Sequence, residues 1–155
     1  MSSIHAAAIQ FTVKQGDVDA NLAHVREALA RVADQGANLA VLPEMWSTGF
    51  AYRNLNELAG RTEGIVAELL ELSARHKMVI VGSMPEPNGD KVFNTIYVAD
   101  NGTLAGVYRK IHLFSLLGED KACWRSTTAC RRGGATRAKA SPRTSMIASP
   151  RSGTP

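Results

Sequence analysis

Three side chains of this 155-residue chain stand where chemistry is expected. Glu44 directly follows the apolar run Leu39-Ala40-Val41-Leu42-Pro43. Lys110 directly follows Leu104-Ala105-Gly106-Val107-Tyr108-Arg109, and Glu119 comes shortly after it, beyond Ile111-His112-Leu113-Phe114. An acid and an amine brought to one end of a sheet can act as a general base and as a cation that steadies developing negative charge. Ligands of open α/β sheets bind at the carboxyl ends of the strands, which is where these residues fall. Taken singly, each is weak, because a glutamate or lysine after a strand is usually a solvated loop residue. His112 reads as structural rather than as a base. Asn94 reads as a residue that satisfies loop backbone groups. Gln10 is a strand-end polar residue with no assigned role, and Trp46 and Phe50 read as packing aromatics before pocket walls.

The elements that must position these residues follow from periodicity. Residues 4–13 read as a buried strand, and Gly16-Asp17 as a turn. A helix runs to about Gln35, capped by Asp19 or Asn21, with Leu22, Val25, Leu29 and Val32 spaced by three and four. Gly36 stops it. Residues 38–43 form a second strand, apolar enough for a sheet covered on both faces. A loop follows from Glu44 to about Asn54. Residues 62–76 are a second helix, with Val66, Leu69, Leu70 and Leu72 on its stripe. Residues 78–84, 91–99 and 103–110 are three more strands, joined by tight turns at Asn88-Gly89-Asp90 and Asp100-Asn101-Gly102. Strand and helix alternate, then hairpins follow. That order predicts an α/β sheet with helices packed on it and an antiparallel portion at one edge.

Composition breaks sharply near residue 121. Residues 1–120 hold 10 of the 18 basic residues and all 14 acidic ones, whereas 121–155 hold the other 8 basic residues and no acid. The net charge of +4 therefore belongs to the tail. Its basic residues lie among Ser, Thr, Ala, Gly and Pro with one aromatic, Trp124, so no nucleic-acid footprint is read there. The tail has no hydrophobic period and is expected to be disordered. No apolar run is long enough to span a bilayer, and the N-terminus lacks the charged region of a signal peptide. The two cysteines, Cys123 and Cys130, give neither a disulfide framework nor metal spacing. A cytoplasmic location is expected.

Two motifs resemble those of a known family. Leu42-Pro43-Glu44-Met45-Trp46-Ser47-Thr48-Gly49-Phe50 resembles the first-carboxylate motif of the nitrilase superfamily of carbon–nitrogen hydrolases. Tyr108-Arg109-Lys110-Ile111-His112-Leu113-Phe114 resembles its lysine motif. Ala8-Ile9-Gln10, Gly82-Ser83-Met84-Pro85-Glu86 and Phe93-Asn94-Thr95 also look like the family, in the right order, so the resemblance covers roughly residues 4–122. It implies an α-β-β-α sandwich, of which residues 1–122 are the N-terminal half, and a Glu-Lys-Cys triad acting on a small amide or nitrile. Glu44 would be the general base and Lys110 the oxyanion stabiliser, with Glu119 a supporting glutamate. The cysteine would form a thioester and release ammonia. The Gly82-Ser83-Met84-Pro85-Glu86 segment looks more like omega-amidase-type members than true nitrilases. No metal or organic cofactor is implied, nor a nucleic-acid or membrane partner. Homo-oligomers are expected of full-length members.

The chain departs from the family where the nucleophile belongs, in an apolar-apolar-Cys-Tyr-Asp segment downstream of the lysine. Neither Ala122-Cys123-Trp124 nor Ala129-Cys130-Arg131 matches it, and both cysteines read as incidental residues of a non-family tail, 123–155. The abrupt change at residue 122 is what reading a GC-rich gene out of frame would produce. The expectation is a truncated hydrolase domain, inactive as written. The alternative is a non-catalytic binding or regulatory remnant of the same fold.

Overall fold

The computed structural model describes residues 3–127 and 130–132. Eleven helices and strands can be followed through them. β1 (Ala6–Ala8) leads into α1 (Val18–Asp34), then β2 (Leu39–Val41), α2 (Leu55–Ala59) and α3 (Thr62–His76). β3 (Val79–Asn88), β4 (Lys91–Asp100) and β5 (Thr103–Arg109) follow as a meander. A single turn of 3-10 helix (Ser115–Leu117), the short α4 (Glu119–Ala122) and β6 (Cys130–Arg132) complete the path. The strands form one sheet in sequence order, β1 to β6. β1, β2 and β3 run parallel, whereas β3, β4, β5 and β6 pair antiparallel. This is the expected α/β architecture, with its antiparallel portion on one side.

α1 begins two to four positions earlier than its sequence suggests. Asp17 is the N-cap, accepting a 3.0 Å hydrogen bond from the Ala20 N–H, because the apolar Val18 is buried and belongs to the first turn. Asp19, one of the two expected caps, instead pairs with Arg61 across to the start of α3. Asn21, the other, is buried and ties two loops together. It accepts from the Lys14 N–H at 2.9 Å and donates to the carbonyls of Lys14 and Ser47 at 2.8 and 3.0 Å. α3 keeps its expected bounds and ends on Lys77 in the left-handed conformation (φ 51°).

Both helices lie on one face of the sheet. Val25 and Leu29 of α1 and Ile65 and Leu69 of α3 share a core with Ala40, Ile80, Tyr97 and Ala99. The other face carries Val41, Val81, Ile96 and Tyr108, placed side by side by the strand register. It is partly open, with Val41 43% and Tyr108 38% exposed.

Three features depart from the sequence expectation. The loop after Glu44 runs into α2, a helix too short to show a period. The strand expected over 4–13 is regular only at Ala6–Ala8, although the Ile9 N–H still donates to the Val41 carbonyl at 2.9 Å. The chain also goes on packing beyond residue 122. Cys123 forms an isolated bridge with Val92, the Trp124 N–H donates to the Val92 carbonyl at 2.7 Å, and β6 adds a sixth strand on β5. This described stretch is therefore not disordered as expected, because backbone pairing needs no hydrophobic period. The remainder of that expectation lies outside the described residues. Among the described residues no helix is long and apolar enough to cross a membrane.

Candidate active site

Glu44 sits on the turn that leaves β2, and that turn is pinned from several sides. Met45 follows with φ 50°, a left-handed conformation costly for a bulky residue. Its N–H donates to Ser83 Oγ on β3 at 2.9 Å, and its carbonyl accepts from the N–H groups of Thr48 and Gly49 at 3.1 and 2.7 Å. Trp46 is fully buried against β3. Gly82 allows this approach, since a Cβ there would stand 2.7 Å from Trp46 Nε1. Both aromatics expected to pack divide: Trp46 does so, whereas Phe50 is 39% exposed and lies tilted on Tyr52.

Lys110 arrives from the end of β5, where its N–H donates to the Asn94 carbonyl at 2.8 Å. Its Nζ donates to Glu44 Oε1 at 2.8 Å and to both Glu119 oxygens, at 2.9 and 3.1 Å. Glu119 opens α4 and is 2% exposed, a buried charge that must be satisfied. It also accepts from the Phe114 N–H at 2.7 Å and from Asn94 Nδ2 at 2.8 Å. Glu44, Lys110 and Glu119, which the sequence singled out, thus meet around one ammonium.

Burial alone would raise the Glu119 pKa. The bonds from Phe114, Asn94 and Lys110 outweigh it and hold the carboxyl below its ordinary value. Burial likewise opposes charge on Lys110, but its bonds to Glu44 and Glu119 prevail and hold the ammonium above the ordinary lysine value. Both groups are therefore charged at neutral pH. Tyr52 is pushed up to about 12, first by burial and then by the negative charge of Glu119.

Two residues belong here that the sequence reading placed elsewhere. Asn94 does not serve a loop: it is 3% exposed on β4, and its Nδ2 donates to Glu44 and Glu119. The available signal was an amide in the middle of an apolar strand, which must find partners when buried. Cys123 is not a loose tail residue. It packs with Met45, Leu55, Ala59 and Val92, because a thiol behaves as a small apolar group. Burial, then the charge of Glu119, push its pKa up to about 12, so it is a protonated thiol rather than a thiolate. Of Cys130 the structure describes only the backbone pairing. His112 is exposed, with Nδ1 3.5 Å from an Arg125 nitrogen, and joins none of the cluster's bonds. Gln10 is exposed at the end of β1.

A cleft of about 360 Å³ opens beside the cluster. Its apolar wall is the open sheet face, Val41, Val81, Ile96 and Tyr108, and its polar end is Glu44, Asn94 and Lys110. An acid and an ammonium at the end of an apolar cleft can move a proton and stabilise an oxyanion on one small polar group.

The model of the carbon–nitrogen hydrolase family matches residues 5–148. The chain belongs to the carbon–nitrogen hydrolase family. The match runs past residue 122, where the motif resemblance ended. The chain is 35% identical to the chloroplastic omega-amidase of Arabidopsis thaliana over 108 residues, 64% of this chain and 29% of that protein. It is 33% identical to the 2-oxoglutaramate amidase of Bacillus subtilis (strain 168) over 114 residues, 72% of this chain and 44% of that one. Among solved structures, a cysteine-to-alanine variant of the amidase from Nesterenkonia sp. AN1, in complex with butyramide, superposes with a TM-score of 0.74 at 25% identity. The superposition covers 81% of this chain and 49% of the amidase. The chain thus spans less than half the length of these curated relatives.

Proposed function

We propose that this hydrolase-family chain carries the base and oxyanion half of an omega-amidase-like site for a small amide. The observation behind this reading is the Glu44–Lys110–Glu119 cluster at the end of the apolar cleft. Glu44 would take the thiol proton of a cysteine nucleophile and later activate water. Lys110 would hold the tetrahedral oxyanion, and Glu119 would hold Lys110. Amide plus water would give acid plus ammonia through a thioester. That the relatives named above are amidases, one of them bound to butyramide, supports a small amide over a nitrile.

The nucleophile is the absent part. Cys123 is buried as a protonated thiol, and Cys130 is followed by Arg131-Arg132 rather than by Tyr-Asp. The reading therefore includes a change of frame near codon 122 and an inactive chain as written. The members of a triad act as a unit, so losing the nucleophile costs nearly as much as losing all of them. Ammonia release from a short-chain amide tests this. The chain as written should turn over at least about 10³-fold more slowly than one with the frame restored. In the restored chain Glu44→Gln and Lys110→Ala should abolish activity. Turnover by the unrestored chain, stopped by Cys123→Ser or Cys130→Ser, would overturn the assignment. No Cys-Tyr-Asp segment in any downstream frame would do the same for the frame change. Ligand binding by a restored chain that never turns over would favour the non-catalytic alternative. Homo-oligomerisation of the restored protein, and its cytoplasmic location, belong to the same proposal.

A further inference from the structure

Asn94 makes more of this site's bonds than its place in the middle of β4 requires. Its carbonyl accepts the Lys110 backbone N–H at 2.8 Å. Its side-chain nitrogen donates one hydrogen to Glu44 Oε1 and the other to Glu119 Oε1, both at 2.8 Å. An amide nitrogen has two hydrogens, so both are spent on the two carboxylates. Lys110 Nζ spans the same two acids from the other side.

The charges explain why such a residue is useful. Two carboxylates face one ammonium, so the cluster carries one uncompensated negative charge. Like charges sharing a site favour protonation of one partner. A neutral amide hydrogen-bonds both ionised acids and leaves the net charge unchanged. It also chooses between the oxygens of Glu44. Oε1 receives both Asn94 and Lys110, whereas Oε2 has no hydrogen-bond partner among the described residues. Oε2 is left as the proton-accepting atom.

We propose that Asn94 is a positioning residue that fixes both acids about Lys110 and presents Glu44 Oε2 as the basic oxygen. The proposal rests on the reading of Glu44 as a base given above. Its bonding part can be tested without turnover, so the two can fail separately.

The test is carboxyl-detected ¹³C and side-chain ¹⁵N NMR of the full chain through an acid titration. The other titratable groups close to Glu119 are Glu44, Lys110, Tyr52 and Cys123. Tyr52 and Cys123, each pushed up to about 12, and Lys110, held above the ordinary lysine value, stay silent in the acid range. In the parent chain the Asn94 Nδ2 hydrogens should shift in step with the Glu119 carboxyl carbon. In Asn94→Ala the midpoint of that carbon should rise by about one unit, a tenfold change in proton affinity. Asn94→Ser, whose hydroxyl has a single hydrogen, should recover at most part of this. Backbone amide shifts of α1 and α3 report whether each variant is folded. An Asn94 amide that ignores the titration in the parent chain overturns the proposal, whatever the variants do. So does an unchanged Glu119 midpoint in a folded Asn94→Ala chain. Failure of Glu44→Gln to affect a frame-restored enzyme would instead fault the function proposed for Glu44.

Discussion

The two faces of the sheet are built from similar residues and come to different ends. On one, Ala40, Ile80, Tyr97 and Ala99 are sealed beneath α1 and α3. On the other, Val41, Val81, Ile96 and Tyr108 line an open cleft. Strand propensity does not separate them, since both are aliphatic and aromatic. What separates them is whether the chain supplies a covering layer. The lesson concerns where chemistry can be placed. The covered face is filled by apolar side chains, whereas the open face ends in the charged cluster and leaves a ligand room to approach it.

The largest effect expected from this contrast is in the covered layer. Leu29, fully buried in α1, should cost about 2–5 kcal/mol when changed to alanine, through lost transfer energy and a residual cavity. Ile96→Ala on the open face should cost about 1 kcal/mol or less. Denaturant midpoints of the two variants decide it, and equal losses would mean that the open face is covered in solution.

A middle-sized effect is expected at Gly82, where the sheet admits Trp46. Gly82→Ala forces a methyl group against a fully buried indole and should cost about 1–3 kcal/mol. Trp46 fluorescence should shift with it. An unchanged midpoint would show that the turn carrying Glu44 has slack.

The smallest and most gradual effect is the pH response of the open face's cluster, screened because Lys110 is partly exposed. Glu119 has a depressed value in the folded chain. Its contribution is full above the ordinary 4.5 and is lost as pH falls through the folded value. Lys110 has a raised value, so its contribution is full below the ordinary 10.5 and is lost as pH climbs through the folded one. Thermal midpoints should therefore plateau across neutral pH and fall at both ends. Glu119→Gln should flatten the acid limb, and an acid limb of unchanged slope would remove this cluster as its source.

Much of this was legible beforehand, for identifiable reasons. α3 declared itself through a full stripe from Val66 to Leu72, and the meander through its two-residue turns. Glu44 and Lys110 could be singled out because each directly follows an apolar run. The rest depended on contacts that leave no local trace. Asn94 finds partners 50 and 25 residues away, so nothing in its neighbourhood announces them. Cys123 sits in a stretch without period and is buried because β4, α2 and the turn after Glu44 pack around it. Asn21 looked like a cap because it stands at a helix start, but its burial turned the amide inward to two loops.

The mixed pairing of the sheet also sets an order of assembly. β3, β4 and β5 close on one another through turns of two residues, at 89–90 and 101–102. β2 reaches β3 only across residues 42–78, and β1 reaches β2 only across α1. Closing a long loop costs more entropy than closing a short one, and low contact order folds sooner. Asn94 and Lys110 therefore belong to the portion that forms early, and Glu44 to the portion that docks late. In pulse-labelled refolding, amides of 92–109 should gain protection before those of 39–41. Glu44 then arrives last, onto a lysine and an amide already in place.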